Sequence, residues 1–174
     1  YLLGQPSSET LQELYKNSEK APTGLRIGLL ASNPALYSNK RIMEAGEMRG
    51  HEMHFLNIKE CYMKLDAKTP EIHYRGGIIL NQFDAIIPRI RPSITFYGCA
   101  LTRQFEALNV FCLNSSTAIT QSRDKLFSLQ LLLQSGIDIP TTGFANSPLD
   151  TNDLITMVGG PPLIVKLLEG TQGK

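Results

Sequence analysis

At 174 residues, 42% hydrophobic and 19% charged, the chain is too apolar for a disordered tail, and its length suits one ordinary domain, or one small domain and part of a second. A net charge of +1 supplies no global field for nucleic acid or an anionic membrane, and no apolar run approaches the roughly 20 residues that a membrane span needs. Three cysteines, Cys61, Cys99 and Cys112, are odd in number and widely spaced, which fits neither a disulfide framework nor a paired-cysteine zinc site and reads as reduced thiols in a cytoplasmic protein.

Residues 1–24 are polar and charge-mixed, with a short helix expected over 9–15. Tyr1-Leu2-Leu3 is too short for the apolar segment of a signal peptide, so this stretch reads as an extension outside the main fold. The fold is expected to begin at Leu25. Leu25-Arg26-Ile27-Gly28-Leu29-Leu30-Ala31 is a short apolar run bounded by turn formers, the pattern of a buried parallel strand, and Ser32-Asn33-Pro34 ends it. Ile42, Met43, Ala45 and Met48 recur at helical spacing over 39–49, with Gly50 as the C-terminal stop. A second strand over 54–58 completes a βαβ unit.

A more polar stretch follows. Gly76-Gly77 separates two short strand-like pieces and suggests a hairpin. Phe83-Asp84-Ala85-Ile86-Ile87-Pro88-Arg89-Ile90 reads as a third buried strand, and Pro88 implies that it ends there or lies at an edge. Residues 97–108 predict an amphipathic helix with Phe96, Leu101, Phe105 and Leu108 as its core stripe, and 111–113 a short fourth strand. Alternating β and α elements with apolar strands point to an α/β sandwich around a parallel sheet.

A second unit is expected from Asn114. Ser122 is placed to cap a helix over 123–134, with Leu126, Leu129 and Leu133 on its buried side and Gly136 closing it. A break at 139–143 precedes a short strand at Phe144. Thr151 is placed to cap a helix over 152–158, ended by Gly159-Gly160. Pro161-Pro162 then opens a last strand over 163–168.

Lys166 is the most informative position, because every neighbour in Leu163-Ile164-Val165-Lys166-Leu167-Leu168 is large and apolar. A buried ammonium needs an anionic partner or a route to water; a lysine on the solvent face of an edge strand explains the pattern equally well. The loop Gly170-Thr171-Gln172-Gly173 shifts the balance, since backbone N–H groups in such a turn form a nest for phosphate. It is no Walker A motif, because Leu168 stands where the leading glycine belongs, and Gly28 alone makes no dinucleotide fingerprint.

Lys125 sits in the first turn of its expected helix, where a cation is mildly unfavourable and an anion gathered at the helix start would select it; a solvated surface lysine is the plainer reading. Arg89 and Arg91 follow the third strand, and ligands of open α/β sheets bind beyond the carboxyl ends of strands, so these arginines could meet an acidic substrate. The histidines share no metal-binding spacing, and no activated nucleophile stands out.

Phe83-Asp84-Ala85-Ile86-Ile87-Pro88-Arg89-Ile90, Ile94-Thr95-Phe96-Tyr97-Gly98, Arg103-Gln104-Phe105-Glu106, Ser122-Arg123-Asp124-Lys125-Leu126, Gly136-Ile137-Asp138-Ile139-Pro140 and Val165-Lys166-Leu167-Leu168-Glu169-Gly170-Thr171-Gln172-Gly173 together resemble the RimK-type α-L-glutamate ligases of the ATP-grasp superfamily, in order and spacing, from Arg26 to Gly173. The resemblance implies a Rossmann-like pre-ATP-grasp domain over 25–113 and the first part of a nucleotide-binding domain over 114–174. It implies a ligase that uses ATP and Mg2+ (or Mn2+) to add glutamate, through an acylphosphate, to the C-terminus of a small-subunit ribosomal protein. By matched position Lys125, Lys166, Glu169, Gly170, Thr171, Gln172 and Gly173 would hold the nucleotide. The family's metal ligands are expected downstream of Lys174, so no metal ligand and no catalytic residue is assigned here, and this stretch alone is not expected to turn over. A non-catalytic α/β module binding a protein partner or a small anion is the competing reading, and a homo-oligomer stays open.

Overall fold

The computed structural model describes residues 24–80 and 82–166. Its centre is β1 (Arg26–Ala31), buried from Ile27 onward, as the apolar run demands. The chain leaves β1 through α1 (Tyr37–Met48) and returns in β2 (Glu52–Asn57), parallel to β1 from the Arg26–Glu52 pair to the Ala31–Asn57 pair. Gly50, with φ of +80°, makes the left-handed turn that releases α1. β6 (Ala85–Pro88) lies against the other side of β1, and β7 (Phe111–Cys112) lies outside β6, both parallel. The strand order is therefore β2-β1-β6-β7.

Pro88 ends β6, as expected, but does not mark an edge, because β6 has a neighbour on each side. Proline is tolerated there as the last residue, and the Arg89 N–H resumes the pairing by donating to Leu30 O at 2.8 Å.

A second, antiparallel sheet takes up the polar stretch: β3 (Cys61–Lys64), β4 (Glu71–Tyr74) and β5 (Ile78–Ile79). The expected hairpin is the β4–β5 turn, where Gly76 and Gly77 have φ of +89° and +80°. α2 (Thr95–Ala107) spans both sheets. Tyr97 Oη donates to Cys61 O at 2.7 Å and Gln104 Nε2 to Lys64 O at 3.3 Å, while Leu101 and Phe105 close the core with Leu30, Leu56, Ile58, Ile72 and Ile86. Phe96 is not in that stripe: its side chain is 89% exposed. The inward face runs through Gly98, Leu101, Thr102 and Phe105, and Phe96, two residues from Gly98, points about 200° away.

The helix expected over 123–134 is two helices, α3 (Ser116–Arg123) and α4 (Lys125–Gln134), separated by the extended backbone of Asp124. Asp124, not Ser122, caps α4: its carboxylate accepts from the Phe127 N–H at 2.9 Å, while Ser115 caps α3 through the Ala118 N–H at 3.1 Å. Ser122 lies inside α3 with its hydroxyl donating to Ile119 O. A carboxylate in the right backbone conformation outcompetes a hydroxyl two residues earlier. No residue of α4 is buried, so Leu126 and Leu129 are half-covered and Leu133 is exposed.

α5 (Thr151–Met157) follows a 3-10 turn over Pro148–Asp150. Ser147 caps that turn by accepting from the Leu149 N–H, and Thr151 Oγ1 donates backwards to Pro148 O instead of capping.

Neither the strand expected at Phe144 nor one over 163–166 forms. Ile164 and Val165 are 85% and 94% exposed. A strand exists only by pairing its N–H and C=O groups with a neighbour, and no described strand lies beside this segment.

Candidate functional site

The strand order dictates where a ligand belongs. From β1 the chain moves first to β2 on one side and later to β6 on the other, so the crossovers diverge between β1 and β6 and leave a crevice beyond their carboxyl ends. A cleft of about 450 Å³ occupies that place. Ser32 enters it directly after β1, the Arg89-Ile90-Arg91 segment after β6 and Asn114 after β7, while Asn39 comes from α1 and Arg123 from α3.

The walls are held by specific bonds. Asn39 is buried and its Nδ2 donates to Asn33 O at 2.7 Å, fixing the loop after β1. Arg89 Nη2 donates to Ser38 Oγ at 3.2 Å across the cleft. The Arg123 guanidinium donates to Ile90 O. α3, which carries Arg123, is anchored at its start by Glu106 of α2: one carboxylate oxygen accepts from the Ser116 N–H at 2.7 Å and the other from the Ser116 hydroxyl at 2.6 Å. Gly98 lets α2 approach Ile90, where a Cβ would stand 2.6 Å from the Ile90 side chain.

Arg89, Arg91 and Arg123 all line the cleft, and no carboxylate is among the residues that do. Arg26, Arg41 and Arg75 each face a glutamate; Arg89, Arg91 and Arg123 have no ion pair among the described residues. The hydroxyl oxygen of Ser32 is shielded from water and has no hydrogen-bond partner there either.

The structure thus brings Arg89 and Arg91 together, and adds Ser32, Asn39 and Arg123, which sequence reasoning did not single out. Ser32 could have been found by the same strand-end rule that drew attention to the arginines; Arg123 is placed by packing between helices and leaves no local signal.

The nucleotide candidates lie elsewhere. Lys125 is the first residue of α4, half-buried. Lys166 is exposed and outside any strand, so a buried ammonium no longer argues for its role. Glu169, Gly170, Thr171, Gln172 and Gly173 lie outside the described residues. Among the described residues no three His, Cys, Asp or Glu side chains cluster to hold a metal ion. Burial, and then the Glu60 charge, pushes the Cys61 thiol up to about 12; burial, and then Glu106, pushes Cys112 up to about 11. Neither is a thiolate nucleophile at neutral pH. No helix among the described residues is long and apolar enough to cross a membrane.

Comparison with known proteins adds the family. The profile described as the RimK PreATP-grasp domain matches residues 25–119, and that of the RimK-like ATP-grasp domain residues 122–174. A protein of Shewanella halifaxensis named "Probable alpha-L-glutamate ligase" is 70% identical over the whole chain, and one of Parasynechococcus marenigrum with the same name is 59% identical over 172 residues. The chain spans 38% of the first relative's length and 37% of the second's. Among solved structures, the ATP-grasp ligase PsnB complexed with minimal precursor superposes with a TM-score of 0.62 over 86% of this chain and 56% of that one, at 18% identity. The macrocyclase MdnB from Microcystis aeruginosa does so with 0.57 over 78% and 52%, at 19% identity.

Proposed function

We propose, from the premise that this chain belongs to the RimK family of ATP-grasp proteins, that it works as part of an ATP-dependent carboxylate–amine ligase of the α-L-glutamate type. The observation that carries the reading is that the two family profiles follow one another along a chain whose every residue aligns with a relative named for that activity. In this reading residues 25–113 form the pre-ATP-grasp domain, 114–174 the first part of the nucleotide-binding domain, and 1–24 an extension.

ATP, when bound, supplies the phosphoryl group that activates a carboxylate for attack by an amine. The chain's own part is to hold the polyphosphate and orient the acid. Lys125 carries its charge at the start of α4. Lys166, with Glu169, Gly170, Thr171, Gln172 and Gly173 after it, offers a second charge and the amides of a glycine loop. Phosphoryl transfer needs mostly such positioning and charge neutralisation. The carboxylate donors for Mg2+ (or Mn2+) are placed beyond Lys174, and no step is derived through the metal. Glutamate is the amine-bearing substrate and the C-terminus of a small-subunit ribosomal protein the acceptor, supported by the match from Ile94 to Phe105; the cytoplasm is the compartment where both are found.

The test uses the chain and a protein continued to the relatives' length. The longer protein, given Mg-ATP, L-glutamate and a peptide ending in glutamate, is expected to release ADP and lengthen the peptide by glutamate residues. Mg-ATP is expected to raise its melting temperature, and Lys166→Ala to abolish that rise. A melting temperature indifferent to Mg-ATP in both proteins, with no ADP released, would establish the non-catalytic module instead.

A further inference from the structure

We infer that Arg123 is a positioning residue: it ties the Arg89-Ile90-Arg91 segment to the joint between α3 and α4, so that nucleotide binding at Lys125 is transmitted to the two cleft arginines. β6 ends at Pro88, and after the Arg89 N–H, which donates to Leu30 O, the segment leaves the sheet. Ile90 is then held from two sides. Its side chain, 7% exposed, packs against Gly98 of α2, where a Cβ would stand 2.6 Å from it. Its carbonyl accepts from the Arg123 guanidinium. Fixing the middle residue of the three fixes the backbone that carries Arg89 and Arg91, both of which line the cleft.

Arg123 can act as a strut because its helix is braced at both ends. Glu106 anchors the start of α3 through the Ser116 N–H and hydroxyl. At the other end the Ser128 hydroxyl lies 2.8 Å from both Gln121 O and Asp124 O, which bridges α3 to α4. Asp124 in turn caps α4 through the Phe127 N–H. Arg123, Asp124 and Lys125 are therefore consecutive residues of one braced turn. The first family profile ends at residue 119 and the second begins at 122, so the bond from Arg123 to Ile90 reaches from one domain back into the other.

Contact with a ligand is the competing role for Arg123. A guanidinium recognises an anion through paired, coplanar donors, and here part of that fork is spent on the protein itself. A neutral main-chain carbonyl needs no cation, so what the bond supplies is position. Transmission from the nucleotide rests on the ligase reading, which puts ATP at Lys125; the hold on Ile90 does not.

The test is hydrogen exchange over residues 89–91 in the protein continued to the relatives' length, with and without Mg-ATP, beside melting temperature and steady-state ligation. Mg-ATP is expected to slow this exchange about fivefold. Arg123→Ala should speed it about tenfold without nucleotide and remove the response to Mg-ATP, while Mg-ATP still raises the melting temperature. In ligation the same variant should lose about tenfold in kcat with the KM for ATP within about twofold. Arg123→Lys, which keeps a donor for Ile90 O, should recover most of both. Glu106→Gln, which loosens the start of α3 without touching the cleft, should speed the exchange about threefold and serves where Arg123→Ala does not fold. Arg103→Ala, an exposed arginine outside the cleft, should change nothing.

Nucleotide-free exchange unaltered in Arg123→Ala, or in Glu106→Gln where the former does not fold, would overturn the positioning role. A response to Mg-ATP that survives in Arg123→Ala would overturn the transmission. No recovery in Arg123→Lys would assign Arg123 to ligand contact instead. A melting temperature indifferent to Mg-ATP in the unaltered protein, with no ADP released, removes the ligase; the hold on Ile90 is then still decided by nucleotide-free exchange.

Discussion

The region before Asp124 and the region after it use apolar residues differently. β1 buries every residue after Arg26, and α2 buries Leu101 and Phe105 completely. α4 packs Leu126, Phe127, Leu129, Leu131, Leu132 and Leu133 into ten residues and buries none, and α5 buries none. An apolar residue is buried only when a second layer lies against it. The first region has its own, since a parallel sheet and a small antiparallel sheet clasp α2 between them. In the second region no described sheet lies under the helices. A helix apolar nearly all round is the kind that ends up covered on more than one face, so α4 reads as half of a contact.

The comparison breaks most directly in the core. Phe105→Ala removes a fully buried ring from the core to which both sheets contribute and is expected to cost about 3–5 kcal/mol in denaturant unfolding. Gly28→Ala should cost about 1–3 kcal/mol, because the new Cβ would stand 2.7 Å from Ile86 Cδ1 and 2.8 Å from Leu56 Cδ1 in the middle of β1. A loss below about 0.5 kcal/mol at Phe105 would mean that the first region does not close its own core.

The seam between the regions comes next. Glu106→Ala leaves the buried Ser116 N–H and hydroxyl without their acceptor and is expected to cost about 1–3 kcal/mol. The loss should be smaller in Glu106→Gln, which keeps an acceptor oxygen.

What could be read without coordinates follows the same division. β1 was legible because a central parallel strand is a short, unbroken apolar run, and β2, β6 and β7, only partly buried, were legible from their shorter apolar pieces. β3 was not, since Cys61-Tyr62-Met63-Lys64 alternates too briefly to separate from loop. The end of β6 at Pro88 was legible from proline chemistry, whereas its place inside the sheet depends on β7, whose residues pair from 26 positions further on. The cleft was half legible. Arg89 and Arg91 follow a strand end, but Arg123 reaches Ile90 from 33 residues away and only through the packing of α3 on α2. Lys166 shows the converse: apolar neighbours predicted a buried strand, and without a pairing partner they stand in water. Its place in the proposed nucleotide site rests on the family match, not on its surroundings.

The antiparallel sheet offers a gentler contrast. The His73 hydrogen bond, then that of Lys64, holds the Glu71 carboxyl below the usual range, and the Tyr74 hydroxyl does the same for Glu60. A carboxyl whose folded pKa is lowered stabilises the fold above its unfolded pKa, and the benefit is lost as pH falls through the lowered value. Hydrogen exchange is therefore expected to show β3, β4 and β5 opening on acidification before β1 and β6. Simultaneous loss of protection in both sheets would mean that these carboxyls hold nothing local.

The smallest effect is the sharpest test of the second region. Leu133→Ala removes an exposed leucine from α4 and is expected to change the stability of this chain by less than about 0.5 kcal/mol. In the protein continued to the relatives' length, the same substitution should cost about 2–5 kcal/mol, the range for a buried leucine. The background explains the difference: helix propensity barely distinguishes leucine from alanine, so whatever is lost must come from packing against residues outside this chain. Equal small losses in both proteins would show that the apolar face of α4 stays in water, and the contrast between the two regions would then be a property of the longer protein as well.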